Sequence, residues 1–90
     1  MIVTIARVTD PDRFLEVFQT VGAEKRKEHG CRGARVYVDP EGSQRVWCVF
    51  DWDAADYGTF LADPEIPAIA QQLGLQAPPV HAPLATELDA

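Results

Sequence analysis

Apolar positions along this chain fall into short runs with two different periods. Residues 45–52 (Arg-Val-Trp-Cys-Val-Phe-Asp-Trp) give the clearest strand, and it barely alternates. Val46, Cys48, Phe50 and Trp52 would point one way, Trp47 and Val49 the other. A half-buried antiparallel strand alternates apolar with polar residues, so both faces here need cover. Helices of the same chain can cover one face; the other calls for a second molecule. Residues 2–8 repeat the pattern, with Ile2, Thr4, Ala6 and Val8 on one side and Val3 and Ile5 on the other.

Between these runs the period changes. Asp10-Pro11-Asp12 is a helix-start signal: a capping side chain, a proline suited to the first turn, then an acid at the positive end of the dipole. Phe14, Leu15, Phe18 and Val21 recur at helical spacing, and the helix is predicted to run to about residue 28. Its end, Glu24-Lys25-Arg26-Lys27-Glu28, reads as a solvated tip, and Gly30 as a stop. Residues 32–39 form the second strand. Pro40-Glu41-Gly42-Ser43 is a turn. A two-residue loop at Glu41-Gly42 sets Arg35 opposite Cys48, so that Arg35 and Tyr37 share a face with Cys48, Phe50 and Trp52.

Asp53 can cap a second helix through Tyr57, Phe60 and Leu61, slightly weakened by Gly58. Asp63-Pro64 repeats the start signal for a third helical piece with Ile66, Ile69, Ala70 and Leu73 buried, ended by Gly74. Residues 80–88 read as a last strand. Val80, Ala82, Leu84, Thr86 and Leu88 form one row, opposite His81 and Pro83, and Pro83 marks an edge.

The order strand, helix, strand, strand, helix, strand, with right-handed crossovers, puts the helices on one side of a four-stranded antiparallel sheet. This is an α+β, ferredoxin-like βαββαβ arrangement, and residues 1–90 are one domain. Four strands about 4.8 Å apart and about 17 Å long leave roughly 300–350 Å² of open face. That is at the limit of what monomers expose, and a sheet-to-sheet homodimer follows as the expectation.

Composition narrows the partners. Eight basic against fourteen acidic side chains leave a net charge of -6, which argues against nucleic-acid phosphates and anionic membrane surfaces. No apolar run approaches the roughly 18–20 residues that span a bilayer. The opening residues carry no basic leader, so a cytoplasmic location is the default expectation. Cys31 and Cys48 fall on neighbouring strands without facing each other, so neither a disulfide nor a metal site is expected.

The run Glu28-His29-Gly30-Cys31-Arg32-Gly33-Ala34-Arg35-Val36-Tyr37 carries a likeness, followed by Asp39-Pro40-Glu41, Phe50-Asp51-Trp52-Asp53 and Leu61-Ala62-Asp63-Pro64-Glu65. In that order these pieces resemble the dimeric α/β-barrel superfamily, and within it the antibiotic-biosynthesis-monooxygenase-like group. The resemblance implies a homodimer through the open sheet face and a pocket between helices and sheet. It also implies oxygenation of an aromatic or polyketide-like molecule without a cofactor. Trp52 and Tyr57 stand where such enzymes carry pocket aromatics. The chain has no asparagine, which departs from the asparagine–tryptophan–histidine set of the haem-degrading members.

The candidate site residues each carry two readings. Trp52, Tyr57, Phe50 and Phe60 can line a substrate cavity or simply fill the core. Arg35 can hold a phenolate oxygen if it shares their face, or sit at the rim beside an acid. Tyr57, His81 and His29 are the candidates for proton transfer, with surface placement the plainer reading of both histidines. Asp51, Asp53 and Asp56 are expected to serve the fold rather than a metal. A non-catalytic barrel that binds a ligand or partner is the rival to the enzyme reading.

Overall fold

The computed structural model describes residues 1–83. Its elements are β1 (Ile2–Arg7), α1 (Pro11–Gln19), α2 (Val21–Glu28), β2 (Gly33–Val38), β3 (Arg45–Asp51), α3 (Ala54–Leu61), α4 (Ile66–Leu73) and β4 (Val80–Pro83). The strands form one antiparallel sheet in the order β2-β3-β1-β4. The two doubly apolar strands, β3 and β1, are therefore the central pair. The rest of the last predicted strand, residues 84–88, lies outside the described residues.

The helices pack on one sheet face. Ile2, Val46, Cys48 and Phe50 on that face are buried with Phe14 and Phe18 of α1 and Tyr57 of α3. The other face carries a row across all four strands: Tyr37, Trp47, Ile5 and Val80. Tyr37, Ile5 and Val80 are exposed, and Arg45 places its guanidinium over the Trp47 ring. This is the face left without a helix.

The hairpin corrects one expectation. Arg35 pairs with Val49, not Cys48, and Tyr37 pairs with Trp47. The cause is the loop, residues 40–44, which is longer than two residues. The Asp39 amide donates to the Arg45 carbonyl, and the Asp39 carboxylate takes the Glu41 amide and the Ser43 hydroxyl. Gly42 and Gln44 both adopt left-handed backbone, at φ 76° and 62°. Gln44 then offers its carbonyl to the Val8 amide at 2.9 Å. The change shifts the pairing by one position, and a slip of one in a strand moves every side chain to the opposite face. Arg35 and Tyr37 thus lie on the open face, away from Cys48, Phe50 and Trp52.

The first helical segment is bent rather than continuous. Thr20 breaks it with φ −111° and ψ −96°, and its hydroxyl donates to the Glu16 carbonyl at 2.8 Å. The bend turns α2 so that Lys25 is buried and Arg26 is half-buried. Of the expected solvated tip, Glu24, Lys27 and Glu28 are exposed, and Lys25 and Arg26 pack against the domain. Asp10 caps α1 through the Asp12 and Arg13 amides, and Gly74 closes α4 at φ 73°. Asp53 stands at the start of α3 without a side-chain cap bond. Its carboxylate instead meets Arg32, which also holds Asp51.

Candidate functional site

The helices do not fill the space above the sheet. A cavity of about 130 Å³ remains between them and β1 and β3. Its wall is largely apolar and includes Phe14, Phe18, Phe50, Phe60, Ile69 and Leu73. A few polar side chains also reach it: Thr4, Cys48, Tyr57 and Arg26. An apolar chamber with a small number of converging polar groups is the ordinary form of a small-molecule site.

The register places two of its polar residues, Thr4 and Cys48, side by side. Val36, Cys48, Thr4 and His81 stand in one line across the four strands. Burial pushes the Cys48 thiol up from its usual range, partly offset by the neighbouring Thr4 hydroxyl and Arg26. Above the line, Tyr57 meets the His81 ring edge-on at 5.2 Å. Burial raises the Tyr57 phenol, and the Cys48 sulfur adds to the effect. Tyr57 therefore stays a neutral O–H at ordinary pH, and it makes no side-chain hydrogen bond to any other described residue.

Among the described residues, the single charged group on the cavity wall is Arg26. Its guanidinium lies 3.8 Å above the Phe18 ring and donates to the Phe18 carbonyl at 3.1 Å. Burial lowers its pKa, partly offset by the two cysteine sulfurs. Phe14, Phe18, Gly22 and Arg26 recur every fourth residue, and all four border the cavity. That spacing is one helical face, and it was the signal for Arg26. A run of five charged residues masked it. Gly22 is part of the design, since a Cβ there would lie 3.2 Å from an Arg26 nitrogen.

Of the candidate residues, the structure brings Tyr57, Phe50 and Phe60 to the cavity wall and His81 against Tyr57. Trp52 is fully buried behind them, with its ring 4.8 Å from Phe60 and 5.3 Å from Tyr57. Its indole N–H donates to the His29 carbonyl at 2.8 Å, so it supports the wall without forming it. Arg35 is on the opposite face of the sheet.

His29 is held elsewhere. Its Nε2 lies 2.8 Å from an Asp63 oxygen, an orienting acid that its sequence neighbours do not supply. Glu28, His29 and Asp63 bring ligand-type atoms within 4.8 Å of one another. The cation already among them is Lys25, whose ammonium lies 2.7 Å from Glu65, 3.0 Å from Glu28 and 3.2 Å from Asp63. The cluster joins α2 to the turn before α4. The Asp51, Asp53 and Arg32 group is likewise an ion-pair network.

Strand order, one-sided helices and the cavity beneath them define an α+β domain of ferredoxin-like fold. Solved structures sharing it include a Deinococcus radiodurans protein named after the antibiotic biosynthesis monooxygenases, with a TM-score of 0.68 at 13% identity over 100% of this chain and 98% of that chain. A NIPSNAP domain protein from Burkholderia xenovorans superposes with a TM-score of 0.59 at 23% identity, covering 99% of this chain and 100% of that one. A conserved protein from Methanosarcina mazei Go1 gives 0.63 at 20% identity, over 90% and 85%. At these identities the likeness is one of fold. No family model and no curated protein matches the sequence.

Proposed function

We propose that the chain is a small cofactor-independent monooxygenase acting on an aromatic molecule bound in the cavity between helices and sheet. The observation that carries this reading is the apolar chamber walled by Phe14, Phe18, Phe50 and Phe60, with Tyr57 and Arg26 as its polar groups. The fold shared with proteins named for such oxygenases supports it.

The chemistry asks little of the protein. A hydroquinone and O₂ give a hydroxyquinone and water, and the substrate supplies all the electrons. The first step is loss of a phenolic proton, for which His81 beside Tyr57 is the candidate acceptor. The phenolate then passes an electron to oxygen. Arg26 puts a positive charge on the wall of an apolar chamber, where its attraction for an anionic substrate counts for more than in water. The neutral Tyr57 hydroxyl is placed to donate to a forming oxyanion. Two copies pairing through the open face, along Tyr37, Trp47, Ile5 and Val80, complete the proposed assembly.

Oxygen uptake with a panel of hydroquinones and anthrones tests the enzyme reading. Turnover that falls at least tenfold in Tyr57→Phe and in His81→Gln supports it; no uptake on any substrate removes it. The rival is a barrel that binds the same ligands without turning them over. It draws on Arg26, the one charged group on the wall among the described residues, which suits it to receive an anion. Saturable binding without oxygen uptake would favour it.

A further inference from the structure

The wall cation also borders a second space. On the other side of α2, Arg26, Lys27, Cys31 and Arg32 line a surface hollow of about 230 Å³ next to β2. Among the described residues, Arg26 alone is common to this hollow and the inner cavity. Its guanidinium therefore stands between an apolar chamber and a basic groove.

Three observations bear on what it receives. First, the chain carries fourteen acidic residues against eight basic ones, yet Arg26 forms no ion pair with a carboxylate among the described residues. Lys25 and Arg32, its neighbours in sequence and in the groove, are both paired with acids. A half-buried arginine whose protein bond is to a backbone carbonyl keeps donors free for an anion. Second, the surroundings hold it in place, by the stack on Phe18 and the room left at Gly22. Third, the cavity is small. A chamber of about 150 Å³ takes one benzene ring, and this one is about 130 Å³.

We propose that the ligand of this cavity is a monocyclic aromatic carboxylate. Its ring lies among Phe14, Phe18, Phe50 and Phe60, and its carboxylate pairs with Arg26 at the boundary with the basic groove. The proposal rests on the reading of the cavity as the substrate site and names the class of substrate. The planar fork of arginine matches a carboxylate in two parallel bonds, and Lys27 adds positive potential from outside. It also divides the work at the site: Arg26 fixes the carboxylate, which leaves the phenolic end of the ring to Tyr57 and His81.

The test is calorimetric binding under anaerobic conditions with three matched probes: 2,5-dihydroxybenzoate, 2,5-dihydroxybenzamide and hydroquinone. The native protein should bind the acid about tenfold or more tighter than the amide. In Arg26→Met that preference should vanish while the amide binds as before. In Arg26→Lys, which keeps the charge and loses the fork, it should fall only in part. Equal affinity for acid and amide in the native protein overturns the proposal, as does binding of neither, and both measurements stand even where Arg26→Met does not fold. Binding is read apart from chemistry. An acid preference without oxygen uptake sinks the oxygenase reading alone, and oxygen uptake on hydroquinone with no acid preference sinks this one alone.

Discussion

The indole N–H of Trp52 donates to the backbone carbonyl of His29 at 2.8 Å, tying the end of β3 to the loop that follows α2. The contact is fully buried on the tryptophan side. Trp52→Phe would leave the carbonyl without that donor and a gap beside Phe60 and Tyr57. An abandoned buried partner costs about 1–3 kcal/mol, and the lost ring volume adds to it. The expected loss is about 2–4 kcal/mol in urea unfolding, or roughly 10 °C or more in Tm for a domain of this length. Because Trp52 stands behind the wall, ligand affinity measured on the folded fraction should change less than threefold.

His29 and Asp63 make a second tie, and it responds to acid. The hydrogen bond from His29 is the largest influence on Asp63, followed by the Glu65 amide and Lys25, and together they lower its pKa to about 2. A folded value below the free-carboxyl value of 3.8 means that folding favours the ionised form. The contribution is then full above the unfolded value and is lost as pH falls from about 4 towards about 2. Asp63→Asn should lower the urea midpoint at neutral pH and flatten its fall across that acid range. An unchanged acid limb would show that other carboxylates govern it.

Much of this architecture was legible because local chemistry and tertiary packing agree. The Asp10 cap, the Gly74 stop and the doubly apolar β3 each form as their residues dictate. Two things were not legible. The register of β2 depends on left-handed backbone at Gln44, an uncommon conformation for a residue other than glycine, so Arg35 was assigned to the wrong face. Arg26 was hidden because a charged run on a helix is usually a solvated face. The cavity's cation was thus sought on a strand and lies on a helix. His81 and Tyr57 are far apart in sequence, and only the antiparallel pairing of β4 with β1 brings them together.

Two glycines separate backbone need from tolerance. Gly74 is left-handed, and a Cβ on it would lie 2.6 Å from the Thr9 hydroxyl. Gly74→Ala should cost about 1–3 kcal/mol from strain and displacement of Thr9. Gly58 lies inside α3 with nothing within 4 Å of its absent Cβ. Gly58→Ala should stabilise by about 0.5–1 kcal/mol through helix propensity alone. Chemical denaturation of both variants reads the two signs.

The open face supplies the last prediction. Ile5 and Trp47 are directly paired on adjacent central strands, with Tyr37 and Val80 flanking them. If two copies clasp through this row, a lysine at its centre would bury an unpaired charge in the interface, at a cost of several kcal/mol. Ile5 is 41% exposed in the single chain, so the same lysine in an isolated subunit stays in water and costs little. Ile5→Lys should therefore shift sedimentation from dimer to monomer at micromolar concentration. A lysine on the exposed side of α4, as in Gln72→Lys, should leave the dimer intact. A native protein that sediments as a monomer, or an Ile5→Lys variant that remains dimeric, would refute pairing through this face. The Ile5→Lys monomer should also unfold at lower urea than the native dimer, with a midpoint that no longer depends on protein concentration.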